Sequence, residues 1–145
     1  MTYRAIVVGT DGSDSARTAV EHAVSLAAAD RARLVVVTAF EGHDGIPDDR
    51  IPQDVRWMIN DRTAAERHAR KGRELAHVEG VDDVVVQAIE GEPAAMVLET
   101  AEDFDADLIV VGSVGLTASS RFILGSVASS VLHHAPCDVL VVHTH

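Results

Sequence analysis

Ala5-Ile6-Val7-Val8-Gly9-Thr10-Asp11-Gly12-Ser13 is the stretch whose reading decides the fold. Its first five residues are apolar and β-branched with no polar alternation, so the strand they form is buried on both faces. Thr10-Asp11-Gly12-Ser13 then stops it with turn chemistry, and Ser13 or Asp14 can cap a helix begun there. Ala16, Ala19, Val20, Ala23, Val24 and Ala27 recur at helical spacing, which predicts an amphipathic helix to about Asp30. The alternation continues to the end of the chain. Further strands are expected at 34–40, 84–89, 107–112 and 139–143, and further helices over 54–78, from Pro93, and over 125–134. Between them, Glu41 to Pro52 is acidic and rich in turn residues, hence an exposed loop.

Five apolar strands separated by helices mean a parallel sheet covered on both faces. With right-handed crossovers, this is a doubly wound α/β fold, flavodoxin-like or Rossmann-like, and the length of 145 residues makes 1–145 one domain. Ligands of such sheets lie beyond the carboxyl ends of the strands, where the strand order reverses. Two turns therefore come into play, Gly9–Ser13 and Gly112–Ser126.

Composition narrows the function. A single cysteine, Cys137, excludes an intramolecular disulfide and any multi-cysteine metal site. A formal net charge of -11 argues against nucleic acid and against anionic membranes as partners. The start of the chain lacks the pattern of a signal peptide, and no apolar run approaches the ~20 residues of a membrane span, so a cytoplasmic protein is expected.

Gly112-Ser113-Val114-Gly115, nine residues, then Gly125-Ser126 is the candidate phosphate cradle. Glycines let backbone N–H groups approach an anion, and the helix starting near Gly125 adds unpaired donors and the positive end of its dipole. Ser113 and Ser126 can add hydroxyl hydrogen bonds. Arg121 lies in the same loop and is the only cation after Arg73, among twelve carboxylates. The plainer reading is a loop whose glycines permit turns, with Arg121 solvated. It is neither a Walker P-loop, which needs a lysine after its last glycine, nor the dinucleotide fingerprint, which comes after the first strand. At the first turn, Asp11 either holds a ligand or metal or helps Ser13 cap the helix, and Ala39 and Phe40 either line a base pocket or belong to the core.

Val7-Val8-Gly9-Thr10-Asp11-Gly12-Ser13-Asp14-Ser15, Gly91-Glu92-Pro93, Asp107 through Leu116, Leu124-Gly125-Ser126-Val127 and Ala135 through Val142 resemble the universal stress protein family. The likeness spans essentially the whole chain and implies the adenine nucleotide alpha hydrolase-like version of the fold. It implies an adenine-nucleotide-binding stress or regulatory protein taking ATP with Mg2+ or Mn2+. Gly112, Ser113, Gly115, Gly125, Ser126 and Val127 would surround phosphates and ribose. Gly9, Thr10 and Asp11 would meet base, ribose or the nucleotide-bound metal, and Ala39 would sit against adenine. Gly9 stands where many members have proline, and Val114 where several have a polar or basic residue. This variant is similar to relatives that prefer cyclic AMP, which makes a cyclic AMP sink or sensor the alternative.

No nucleophile–base pattern is legible. Cys137 reads as an inert thiol, His133-His134 diverge on a helix, and Asp103, Asp105 and Asp107 read as a solvated turn. A fast enzyme is therefore not expected, and any ATP hydrolysis would be slow. The resemblance implies a homodimer through the last strand, Val139–His143, and protein partners that the sequence does not identify.

Overall fold

The computed structural model describes residues 2–41, 62–113 and 124–144. Its elements are β1 (Ala5–Gly9), α1 (Asp14–Asp30), β2 (Arg33–Phe40), α2 (Arg62–Val78), β3 (Val84–Glu90), α3 (Pro93–Asp103), β4 (Leu108–Gly112), α4 (Ser126–His134) and β5 (Asp138–Val142). The expected strands and helices are all present. The last strand starts one residue earlier than expected and ends at Val142, and Gly125 caps α4 instead of opening it. Of the expected long helix, residues 54–61 lie outside the described residues, as does the acidic loop beyond Glu41.

The sheet is parallel throughout, in the order β3-β2-β1-β4-β5. The order reverses between β1 and β4, the two strands that lead into the candidate turns. Alternate side chains supply two cores. Ile6, Val8, Leu34, Val36, Leu108 and Val110 face α1 and α2, while Val7, Val35, Val37, Ile109 and Val111 face α3 and α4. These strand residues are nearly inaccessible, and burying each valine or leucine contributes about 1.5–3 kcal/mol before conformational entropy is subtracted. No described helix is long and apolar enough to cross a membrane.

Small residues bring α2 close to the sheet. Ala65, Ala69, Gly72 and Ala76 form its buried stripe, and a Cβ on Gly72 would already touch Val36 at 3.0 Å. Asp103 and Asp105 are exposed as a solvated turn requires, but the Asp107 carboxylate departs from that reading. It accepts from the Arg4 and Ala5 amides at 3.0–3.1 Å, because the start of β1 leaves those donors beside β4.

Candidate functional site

The carboxyl ends of β1 and β4 converge with the start of α4 at one mouth of the sheet. Each helix beginning near it has a different chemistry. At α1, the Ser13 hydroxyl accepts from the Ala16 amide at 3.1 Å. At α3, Pro93 occupies the first turn and the Glu92 carboxylate accepts from Ala94 and Ala95 at 3.1 and 2.9 Å. At α4 the cap is Gly125, and no side chain of the cap bonds to the first turn. Among the described residues, no side chain caps the N–H groups at this helix start, where the positive end of the dipole lies.

The turn after β1 is tightly built. Thr10 donates its amide to Val37 at 2.9 Å, and its hydroxyl accepts from Gly12. Asp11 accepts from the Ser13 amide at 2.9 Å, which fixes the orientation of its carboxylate at the mouth. This is the turn-building role that the sequence allows for Asp11 beside the Ser13 cap. Gly12 adopts φ 82, and a Cβ there would lie 2.3–2.6 Å from three ring atoms of His68. The imidazole therefore packs directly against the turn. Burial pushes the His68 pKa below its ordinary value, the neighbouring Arg67 and Lys71 lower it further, and Asp11 opposes them.

Beyond β4, Gly112 is needed because a Cβ would come within 2.8 Å of the Ser15 hydroxyl and 3.2 Å of its carbonyl oxygen. Ser113 differs from its expected role. Its hydroxyl donates to the Thr144 carbonyl at 3.1 Å and accepts from the Thr144 amide at 2.9 Å. The Thr144 hydroxyl completes the cluster with the hydroxyls of Ser113 and Ser15. Ser113 is 7% and Thr144 5% exposed, so the Ser113 hydroxyl is committed to the scaffold instead of to a phosphate. The Gly125 amide likewise donates to the Ser113 carbonyl at 2.7 Å, which ties the start of α4 to the end of β4.

The other expected residues divide between mouth and core. Gly9 reaches the mouth, where a Cβ would meet Val97 at 2.9 Å. Ala39 lies on β2 at half-buried depth, whereas Phe40 is buried beneath the Arg62 guanidinium at 4.9 Å. Ser126 is exposed and Val127 half-buried at the first turn of α4. Gly115 and Arg121, with Val114, lie outside the described residues. Neither His68 nor Thr144 stands out in the sequence. His68 could have been found by its phase, four residues before Gly72 on the inner stripe, but Thr144 gives no local signal.

Groups set aside as catalysts have structural partners. Burial and the neighbouring Asp138 and Asp107 raise the Cys137 pKa, which leaves a thiol with little nucleophilic character. The His133 and His134 rings each bond a carbonyl of their own helix, at Ser129 and Ser130.

A sequence model of the universal stress protein family matches residues 2–143. The chain is 36% identical over 143 residues to a universal stress protein of Mycobacterium tuberculosis, covering 98% of this chain and 97% of that one. It is 35% identical over 145 residues to a putative universal stress protein of Staphylococcus aureus, covering 99% and 86%. Among solved structures, it resembles a universal stress protein in complex with cAMP, with a TM-score of 0.77, 33% identity and 100% coverage of both chains. It also resembles the universal stress protein from Archaeoglobus fulgidus in complex with dAMP, with a TM-score of 0.71, 25% identity and coverage of 97% and 98%. With these likenesses running along nearly its full length, the chain belongs to the universal stress protein family.

Proposed function

We propose that this protein binds an adenine nucleotide at the mouth between β1 and β4 and acts as a regulatory, stress-responsive binding protein. The observation that carries this reading is the start of α4, set on Gly125 beside the end of β4 with no side-chain cap among the described residues. Amides of Ser126 and Val127 would meet a phosphate, and Gly9, Thr10, Asp11 and Ala39 would frame ribose and base. The cAMP-bound and dAMP-bound relatives support the same ligand class.

Two ligands fit this arrangement. Cyclic AMP brings one phosphate charge, which an uncapped helix start can meet alone. Its support is the cAMP-bound relative at 33% identity over the whole chain. ATP brings more charge than those amides offset in a chain of net charge -11, so it calls for a divalent cation. Asp11 would hold Mg2+ or Mn2+ jointly with the phosphates, a mode suited to a single protein carboxylate. Gly115 and Arg121 complete the proposed cradle by sequence. The metal would neutralise phosphate charge. Asp11, already oriented by the Ser13 amide, would position it.

The reading is of binding with at most slow ATP hydrolysis. The proposed setting is the cytoplasm. A homodimer through β5 is part of the same proposal, because Leu140 at 36% and Leu132 at 44% exposure leave apolar surface on that border of the sheet. Mass spectrometry of nucleotide released from the denatured protein, with calorimetric titration of cyclic AMP and ATP with and without Mg2+, tests the proposal. Metal-independent binding of cyclic AMP supports the first ligand and metal-dependent binding of ATP the second. Failure of both to bind would refute the site.

A further inference from the structure

The opposite border of the sheet carries a second, separate opportunity. Among the described residues, β3 pairs only with β2. The Leu34 amide donates to the Asp83 carbonyl and the Gly91 amide to the Phe40 carbonyl, both at 2.9 Å. In a parallel ladder, this phase turns the backbone groups of Val85, Gln87 and Ile89 toward β2 and those of Val84, Val86 and Ala88 outward. Among the described residues, these outward groups have no backbone partner. Sheet borders are ordinarily protected by charge, proline or a bulge. β3 offers none of these until Glu90.

The helix above this border is electrostatically unlike the rest of the chain. α2 holds Arg62, Arg67, Arg70, Lys71 and Arg73, five of the chain's 12 Lys and Arg, in a protein of net charge -11. Arg62 lies over Phe40. The other four are exposed, and among the described residues no ion pair engages them. Arg67 with Lys71, and Arg70 with Arg73, stand at spacings where like charges repel. Glu66, Ala69 and Arg70 of α2 join Val86 and Ala88 of β3 in lining a groove of about 230 Å³. The outward backbone of Val86 and Ala88 therefore shares one groove with the Arg70 guanidinium and the Glu66 carboxylate, and the remaining exposed cations of α2 lie further round the same helix.

We propose that the β3 border and the basic outer side of α2 form a docking site for an extended, acidic segment of a partner protein, added to the sheet as a sixth strand. A polypeptide supplies the carbonyls and amides that the border lacks, which a nucleic acid cannot. A second copy of this chain is disfavoured. Antiparallel pairing of two β3 strands about a two-fold axis would bring two basic α2 helices side by side on one face. The partner's pattern comes from strand geometry, with side chains alternating across the sheet. Those on the α2 side would be carboxylates meeting Arg70 and its neighbours. Those on the other side would be apolar, continuing the surface of Val85 and Ile89.

The test uses the whole protein and a synthetic peptide alternating Glu and Val, with amide exchange monitored by NMR. The expected result is exchange slowed roughly tenfold or more at Val86 and Ala88, with salt weakening the effect. A Lys-for-Glu peptide and a peptide with proline at the Val positions should give no protection. Arg70→Glu with Arg73→Glu should weaken peptide binding by about tenfold or more. Arg70→Gln with Arg73→Gln gives a milder charge loss if the reversed pair fails to fold. Unchanged exchange, equal binding of the Lys peptide, or protection that rises with protein concentration alone would each overturn the proposal. So would an oligonucleotide that binds α2 while Val86 and Ala88 still exchange freely. None of these readouts depends on the nucleotide site.

Discussion

The starts of α3 and α4 lie on the same face of the sheet and solve one physical problem in opposite ways. At α3, the chain supplies its own anion, with Glu92 accepting from two first-turn amides and Pro93 removing a third donor. At α4, Gly125 supplies nothing, although the helix start is held firmly by the Gly125 amide on the Ser113 carbonyl. A helix that closes its own start is complete when folded. One that is anchored yet, among the described residues, left open has donors to offer an external anion.

Three experiments would break or sharpen that contrast. Ser113→Ala removes the acceptor of the buried Thr144 amide and should destabilise the fold by about 2 kcal/mol, measured by urea unfolding. It should also weaken nucleotide binding, because β4 anchors the start of α4. Unchanged stability would show that the hydroxyl cluster is not what holds this corner. Glu92→Ala opens the closed helix and should cost about 1 kcal/mol with no change in nucleotide affinity. A fall in affinity would erase the distinction between the two starts.

The smallest effect concerns α1, whose preceding turn lies under His68. The folded pKa of His68 is lowered, so in acid the unfolded chain takes up the proton first. Its contribution is present above the ordinary imidazole pKa of about 6.5 and is lost as pH falls from there through the lowered folded value. His68→Gln should flatten this part of a stability-against-pH profile. An identical slope in the variant would assign the dependence to another group.

What is legible in the sequence is local. The runs at 5–9 and 108–112 reveal strands buried on both faces, and their turns mark the mouth that the reversal of strand order creates. Ser13 is readable as a cap because it directly precedes the periodic alanines. Glu92 is not, since Glu90-Gly91-Glu92 looks like the end of a strand, and only the structure shows its carboxylate turned onto the amides after Pro93. The partners of Asp107 and Ser113 are hidden for a different reason. Asp107 reaches Arg4 and Ser113 reaches Thr144, and sequence spacing carries no trace of such pairings until the register of the sheet brings the ends together. Hydroxyl chemistry alone suggests that Ser113 faces a phosphate, and tertiary structure reassigns it.

The most direct test installs at α4 the arrangement already present at α3. Gly125 has φ -61 and ψ 163, which any residue adopts, so Gly125→Asp adds a capping carboxylate without backbone strain. Calorimetric titration with cyclic AMP, and with ATP plus Mg2+, should show binding to the native chain. The variant should lose at least about tenfold in affinity, roughly 1.4 kcal/mol, while its unfolding midpoint stays level or rises. Equal affinity in an intact Gly125→Asp protein would contradict the claim that the open start of α4 receives the ligand.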